Sequence, residues 1–291
     1  MRIALARCLD LPEHDMDEAP TLAALRDAGH DASCLNWDDP HAEPAANFDA
    51  VVIRATWNYI NDVRGFLDWV DRTSAATRLF NSAADVRWNV HKGYLLELET
   101  AGVPIVPTRV VRTGQSLDVD DLVRTESWPK VVIKPAVGAG SFLTHVFEPG
   151  DAEAQAFLDR FARTQDMLVQ RYMPSVERAG DGPASDGVGE RALVAIDGEL
   201  THAVEKSPRF ADDEESVRPA PIDDADRAFA ANVLSSEDFG DLLYARVDVM
   251  RGDDGELLLS ELELVEPSLF FPYGEAGLKR FVEAIERRVS G

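Results

Sequence analysis

Residues 244–267 read YARVDVMRGDDGELLLSELELVEP, and the reading of this stretch decides the fold. Two apolar, partly alternating segments, 242–250 and 256–264, flank the turn-rich centre Arg251-Gly252-Asp253-Asp254-Gly255, a pattern that predicts a β-hairpin. Side chains two apart on a strand share a face, so Arg246 lies with Asp248, and Glu261 with Glu263. Pairing around the turn lets these four groups converge. Three carboxylates beside one guanidinium make a hard oxygen-donor site for magnesium, with an anion-binding group next to it. Alternating charge is more often a solvated strand face. Here the surrounding runs LLYA, VDVM and LLLS are strongly apolar, so the strands are expected to be central, and buried carboxylates need partners.

The whole chain sets the outer bounds. Its 291 residues allow two or three small domains, and its formal net charge is −24. That balance argues against a nucleic-acid surface and against anionic membranes. It does not exclude ATP, because a local cluster of Lys and Arg overrides the global field. Cys8 and Cys34 provide no disulfide framework, in keeping with a reducing compartment. The start MRIALARCLDLPEHD has no long apolar run and no cleavage site, and no stretch reaches the length of a membrane span. A cytoplasmic protein is expected.

Residues 1–90 alternate short apolar strands (3–7, 32–37, 50–55, 78–80) with helices. One helix is capped by Asp17 and ends at Gly29; another covers 62–72 with Phe66, Leu67 and Val70 inward. This βαβ pattern predicts a small parallel sheet, whose ligands sit beyond the carboxyl ends of its strands. Arg54 and Trp57 fall at that end of the third strand. Arg54 can grip a substrate carboxylate by a fork contact or form a surface salt bridge. A boundary near Asn89 opens a mixed stretch through residue 175: helix 92–101, strand 109–111, helix 118–124, strand 130–134, a glycine loop PAVGAGS (135–141), helix 151–163 and strand 167–172. From 176 onward come a Gly, Asp, Pro and Ser-rich loop (177–189), a hairpin (190–196 and 199–205), a charged irregular segment at 206–221 read as a lid, helix 223–237, the opening hairpin and a closing helix at 273–289.

Basic residues stand out against this acidic background. Lys92 opens a helix, Lys134 ends a strand before the glycine loop, Lys206 ends another strand, and Arg246 lies within one. Each alone is more often a surface charge. PAVGAGS matches neither the Walker pattern nor GxGxxG; its glycines let backbone N–H groups close over phosphates without a Cβ in the way.

Together, at these spacings, the residues resemble the ATP-grasp superfamily of carboxylate–amine ligases. The resemblance implies an α/β (α+β) ATP-grasp fold: a pre-ATP-grasp domain (1–90), a central ATP-binding subdomain (91–175) and a C-terminal subdomain carrying the metal site (176–291). It implies ATP and Mg2+ (or Mn2+) as cofactors. Lys92 and Lys134 then bind phosphates, and Gly138, Ala139, Gly140 and Ser141 form the phosphate loop. Gln170, Arg171 and Met173 form the adenine hinge, and Glu177 holds the ribose. Asp248, Glu261 and Glu263 ligate the metal, Glu263 standing where the superfamily usually carries Asn. Lys206 reaches the γ-phosphate and, with Arg246, is catalytic.

A closer resemblance is to the subgroup that contains the cyclo-ligase of D-cycloserine biosynthesis. It is carried by RATWNY (54–59), WNVHKGYL (88–95), AGVPIVPT (101–108), KPAVGAGS (134–141), GER (189–191), HAVEKSP (202–208) and ELELVEPSLFF (261–271). His91 and Asn58 stand where acids are expected in that subgroup. The segment after Lys206 is acidic where an arginine-bearing substrate loop is expected, with Arg209 and Arg218 as its candidates. Arg54, Trp57, Arg209, Arg218 and Ser268 are the substrate candidates.

The chemistry so implied starts with a substrate carboxylate attacking the γ-phosphorus of magnesium-bound ATP. An acyl phosphate forms, and a nitrogen displaces phosphate, intramolecularly in a cyclisation of the D-cycloserine kind. The partner is a small amino-acid-like carboxylate; a homodimer stays open. No nucleophilic Cys or Ser–His–Asp triad is required, and His145 and His202 read as structural. The rivals are a small-molecule kinase on the same fold and a non-catalytic nucleotide-binding protein, the latter disfavoured because lysines, arginine and carboxylates are all present.

Overall fold

The computed structural model describes residues 1–140, 142–175, 189–206 and 217–290. The first sheet comprises β1 (Arg2–Arg7), β2 (Asp31–Asn36), β3 (Ala50–Ala55) and β4 (Arg78–Phe80), in the order β2-β1-β3-β4 and parallel throughout. Every residue of β3 is buried, as a parallel strand covered on both faces requires. Helices α1 (Glu18–Asp27) and α2 (Val63–Ala76) make the crossovers. Asp62 caps α2 by accepting from Gly65 N at 2.9 Å, and Phe66, Trp69 and Val70 turn inward. A short helix α3 (Ala83–Asn89), absent from the sequence reading, is capped by Ser82.

The second sheet follows helix α4 (Tyr94–Thr100). Strands β5 (Thr108–Val111), β6 (Val131–Pro135), β7 (His145–Phe147) and β8 (Met167–Arg171) run antiparallel in the order β5-β8-β6-β7. Helices α5 (Val119–Glu126) and α6 (Ala152–Phe161) bury Leu122, Val123 and Leu158 against it.

The third sheet is antiparallel: β9 (Glu190–Ile196), β10 (Glu199–Lys206), β11 (Val217–Ala220), β12 (Tyr244–Arg251) and β13 (Leu257–Glu263), ordered β11-β10-β9-β12-β13. Helix α7 (Asp224–Ser235) lies between β11 and β12, and α8 (Glu275–Ser290) ends the chain. The hairpin forms as expected, with Arg246 opposite Glu263 and Asp248 opposite Glu261. The expectation of irregular chain over 206–221 is corrected at its end: 217–220 pairs with β10 as strand β11. Helix α8 packs back on α1, and residues of β1, β9, β12 and α8 share one core. No helix among the described residues is long and apolar enough to cross a membrane.

β13 is an edge strand, and the chain beyond Glu263 has no strand to bond. Side chains replace it. Asn89 bonds both Leu262 O and Leu264 N at 2.8 Å, and Asn81 reaches Leu264 O at 2.9 Å. The Tyr244 hydroxyl donates to Val265 O, the Trp57 indole to Glu266 O at 3.0 Å, Arg54 to Pro267 O at 2.8 Å and Arg246 to Ser268 O at 3.2 Å. His202 meets Leu269 O, and the Asp17 carboxylate accepts from the N–H groups of Leu269, Phe270 and Phe271 at 2.5–3.1 Å. Asp17 therefore does not cap α1 with its side chain, as the sequence suggested; its carboxylate is spent on a turn distant in sequence.

This arrangement makes Asp17 a stability determinant. Asp17→Ala strands three buried donors, each costing on the order of 1–3 kcal/mol when unpaired. We expect a loss of about 3 kcal/mol in urea unfolding, with Asp17→Asn losing less because an acceptor oxygen remains. A change below about 0.5 kcal/mol in the alanine variant, the size of an ordinary surface substitution, would contradict the role.

Candidate active site

A cavity of about 860 Å³ opens between the second and third sheets and reaches the carboxyl end of the first. The strands place its charged groups. Lys134 is on β6, Lys206 ends β10, Arg246 and Asp248 alternate on β12, and Glu261 and Glu263 alternate on β13. Lys92 precedes α4, its N–H held by Ala136 O at 2.7 Å; Ala136 N in turn reaches Asp166 O at 2.9 Å. The glycine loop is thereby tied to the helix that carries the first lysine. Gly140 takes a φ of 58°, a left-handed conformation that favours glycine.

Each hairpin carboxylate is matched to a cation. Asp248 bonds Lys206 at 2.6 Å and Arg246 at 2.8 and 2.9 Å. Glu261 lies 2.8 Å from Lys92 and 4.0 Å from Lys134, and Glu263 pairs with Arg246. Lys92 also donates to Gly138 O at 2.6 Å. Burial opposes ionisation at Asp248, but Arg246 and Lys206 outweigh it and hold the carboxyl below its usual range. The same contest at Glu261 is won by Lys92 and Lys134. Glu263 goes the other way: burial, with Glu261 and Asp248 beside it, pushes it up to about 7. Burial lowers Lys134, whereas at Lys206 the neighbouring Asp248 and Glu190 overcome burial and raise it.

The cavity has an apolar lining formed by Val106, Val132, Met173, Met250 and Leu262. Gln170 also lines it, but its amide donates to Thr108 Oγ1 at 2.9 Å, and Arg171 is paired with Asp253. Gly138, Ala139 and Gly140 line the cavity, as do Trp57 and Ser268. Ser141, Glu177 and Arg209 lie outside the described residues.

Two substrate candidates are not brought to the cavity. Arg54 is buried, its Nη2 bonded to Pro267 O and Asp17 and its guanidinium over the Tyr244 ring, while its Nη1 has no partner. Arg218 pairs with Glu205 across β10 and β11 at 2.8 and 3.1 Å. The single three-carboxylate metal cluster is also corrected. Among the described residues no three acidic or thiol or imidazole groups surround one point, because each carboxylate is drawn to its own cation. The donor set still suits magnesium: Asp248, Glu261 and Glu263 are hard oxygen ligands on one face of one hairpin. The first two are already in their charged, ligating form.

The structure adds residues that the sequence reading gave no role. Glu190 lines the cavity, 3.5 Å from Lys206 and bonded to Ser260 at 3.0 Å. Glu266 lines it too, with the Tyr59 hydroxyl near its carboxyl, and burial together with Glu263 pushes that carboxyl up to about 8. The signal for Glu266 was the third acid in ELELVE, set off the strand's two-residue rhythm.

These shifts set a pH dependence. In the unfolded chain Glu263 and Glu266 ionise near the ordinary 4.5; in the folded metal-free protein they hold their protons to about 7 and about 8. The native state therefore binds more protons across that window, and stability falls as pH rises through it. His202, lowered by burial, acts on the acid side of this interval, and the lowered Lys134 on the alkaline side. The melting temperature in chelator should drop between about pH 5 and 8, and Glu266→Gln should flatten the slope. A flat wild-type profile, or an unchanged slope in the variant, would refute the assignment.

Comparison with known proteins places this geometry. Residues 3–81 match the family model of the D-cycloserine synthetase DcsG N-terminal domain. The chain is 32% identical over 296 residues to the cycloserine biosynthesis protein DcsG of Streptomyces lavendulae, covering 94% of each. The crystal structure of D-cycloserine synthetase DcsG superimposes with a TM-score of 0.87 at 30% identity, covering 99% of this chain and 100% of that one. At the level of fold alone, D-alanine–D-alanine ligase from Bacillus anthracis complexed with ATP matches with a TM-score of 0.68 at 15% identity, over 99% and 97% of the two chains. A RimK-domain ATP-grasp protein from Sphaerobacter thermophilus gives 0.68 at 19%, over 97% and 98%. With its sheets, hairpin register and cation-lined cavity accounted for, the chain belongs to the DcsG family of ATP-grasp ligases.

Proposed function

We propose that this protein is an ATP- and magnesium-dependent ligase that activates the carboxylate of a small amino-acid-like substrate as an acyl phosphate and joins it to a nitrogen, releasing ADP and phosphate. The observation that carries this reading is the convergence of Lys92, Lys134, Lys206 and Arg246 with three carboxylates in one cavity that also has an apolar lining. Relatives support it: the fold is that of a D-alanine–D-alanine ligase solved with ATP and of the ligase PsnB solved with magnesium and ADP. The DcsG relatives are named for cycloserine synthesis, which favours an intramolecular closure.

The residues divide the work. Lys92 and Lys134 neutralise phosphate charge, and the backbone of 138–140 lies where it can cover the phosphates. Asp248, Glu261 and Glu263 would hold magnesium, which when bound offsets negative charge on the phosphoryl oxygens. Lys206 and Arg246 stand at the charged end of the cavity, positioned to hold the reacting carboxylate and to stabilise the oxyanion that forms when nitrogen adds to the activated carbonyl. The transfer needs positioning and charge neutralisation more than a covalent group from the protein. The units 1–90, 91–175 and 176–291 would then supply the substrate wall, the nucleotide hinge and the metal face.

The test is the product. Purified protein with ATP, magnesium and a panel of amino acids and ureido or hydroxamate derivatives should release ADP and phosphate together with a dehydrated, nitrogen-linked or cyclic product on mass spectrometry. A stable phosphorylated substrate would instead make it a kinase. Lys134→Ala should reduce turnover by at least about a hundredfold, the scale of a lost charge-stabilising group, with an unchanged melting curve. Wild-type turnover in that variant would remove the phosphate role of β6.

A further inference from the structure

The cavity is electrically lopsided. Lys134, Lys206 and Arg246 stand on β6, β10 and β12, and Lys92, just before α4, is paired with the hairpin's Glu261. The facing wall, made by the loop after β1, the turn after β3 and the chain beyond β13, contributes Asp10, Glu13, Tyr59 and Glu266 and no lysine or arginine among the described residues. Within the hairpin every carboxylate has its cation. Glu266 differs. No ion pair reaches it among the described residues, although Lys92 and the Tyr59 hydroxyl are near enough to act on its carboxyl. A carboxylate in a desolvating wall without a cation is costly unless a ligand supplies one.

Glu266 is also held firmly. Its own carbonyl accepts from Trp57, Pro267 O from Arg54, and Val265 O from Tyr244. The backbone on either side is thus anchored by buried side chains, and Tyr59, near the carboxyl, is itself buried in the core of the first sheet. It lies three positions from Glu263, whose partner is Arg246. That is at most about 11 Å of chain, a span suited to one small molecule with an anion at one end and a cation at the other.

We propose that Glu266, with Tyr59 near its carboxyl, is the specificity-determining receptor for the protonated amine of the substrate, opposite the Arg246 and Lys206 end that takes its carboxylate. The inference rests on the amino-acid reading given above and goes beyond it by assigning the amine to one residue. It takes the place of Arg54 as the first sheet's side of substrate recognition: Arg54 holds the backbone that presents Glu266 and does not itself face the cavity. A ligand lacking the amine should gain nothing from this wall.

The probes are D-cycloserine, the cyclic amine for which the relatives are named, and isoxazolidin-3-one, the same ring without the amino group. Both are titrated calorimetrically into the full chain with magnesium and ADP. Wild type should bind D-cycloserine more tightly by on the order of tenfold to a hundredfold, the range for one charged hydrogen bond. Glu266→Gln should erase that difference by weakening D-cycloserine alone, with ADP affinity unchanged, and Glu266→Asp should restore part of it. Equal D-cycloserine affinity in wild type and Glu266→Gln would overturn the assignment, as would an equal loss for both rings. If wild type binds ADP but neither ring, the amino-acid reading itself fails and the amine receptor falls with it.

Discussion

The structure turns on how a stretch of backbone without a strand partner is satisfied. Beyond Glu263 the chain leaves the edge of the third sheet and runs between the sheets, where unpaired N–H and C=O groups are expensive. The solution is a set of side chains drawn from the whole molecule: Asp17, Arg54 and Trp57 from the first sheet and its loops, Asn81 and Asn89 around α3, and Tyr244, Arg246 and His202 from the third. These contacts bind the backbone and leave the side chains of Glu266 and Ser268 facing the cavity. They also fix the first sheet against the hairpin, so the wall that bears Glu266 and the face that bears the hairpin's charges are built as one piece.

Charge compensation within the cavity follows a second constraint. Lysines and carboxylates brought together by strand alternation cannot remain buried alone, and each finds an opposite neighbour. Glu261 is shared by Lys92 and Lys134, and Asp248 by Lys206 and Arg246. A phosphate and a divalent cation can enter such a network by exchanging partners, since every group already points into the same space. The hairpin's carboxylates and the cavity's cations thus satisfy one another while facing the same space.

The legible part of this architecture was local. The hairpin was readable because the two-residue period, the glycine-rich turn and the apolar flanks all agree on one answer. The parallel first sheet and the lysines at strand ends followed from similar patterns. What escaped depends on contacts distant in sequence. Asp17 looks like a helix cap from its neighbours, and only the fold reveals that Leu269, 252 positions away, claims its carboxylate. Arg54 at a strand end looks like an anion receptor, and nothing local shows that its Nη2 is drawn to Pro267 O. Glu266 sits where strand periodicity has ended, so no face could be assigned to it. Strand β11 was hidden because VRPA is short and contains a proline, tolerated at the edge of the sheet.

The internal pairing of the cavity's cations has a kinetic corollary. Because those charges are cancelled close by, they project little field past the cavity mouth, and an approaching polyanion meets the field of a molecule carrying −24 overall. Encounter with a nucleotide is therefore opposed at long range and favoured only within roughly a Debye length, about 8 Å in physiological salt. Electrolyte that would slow capture by a basic phosphate-binding protein should hasten it here, by screening the repulsion while leaving the partly buried contacts largely untouched. An acidic exterior around a self-compensated pocket makes nucleotide capture tolerant of salt.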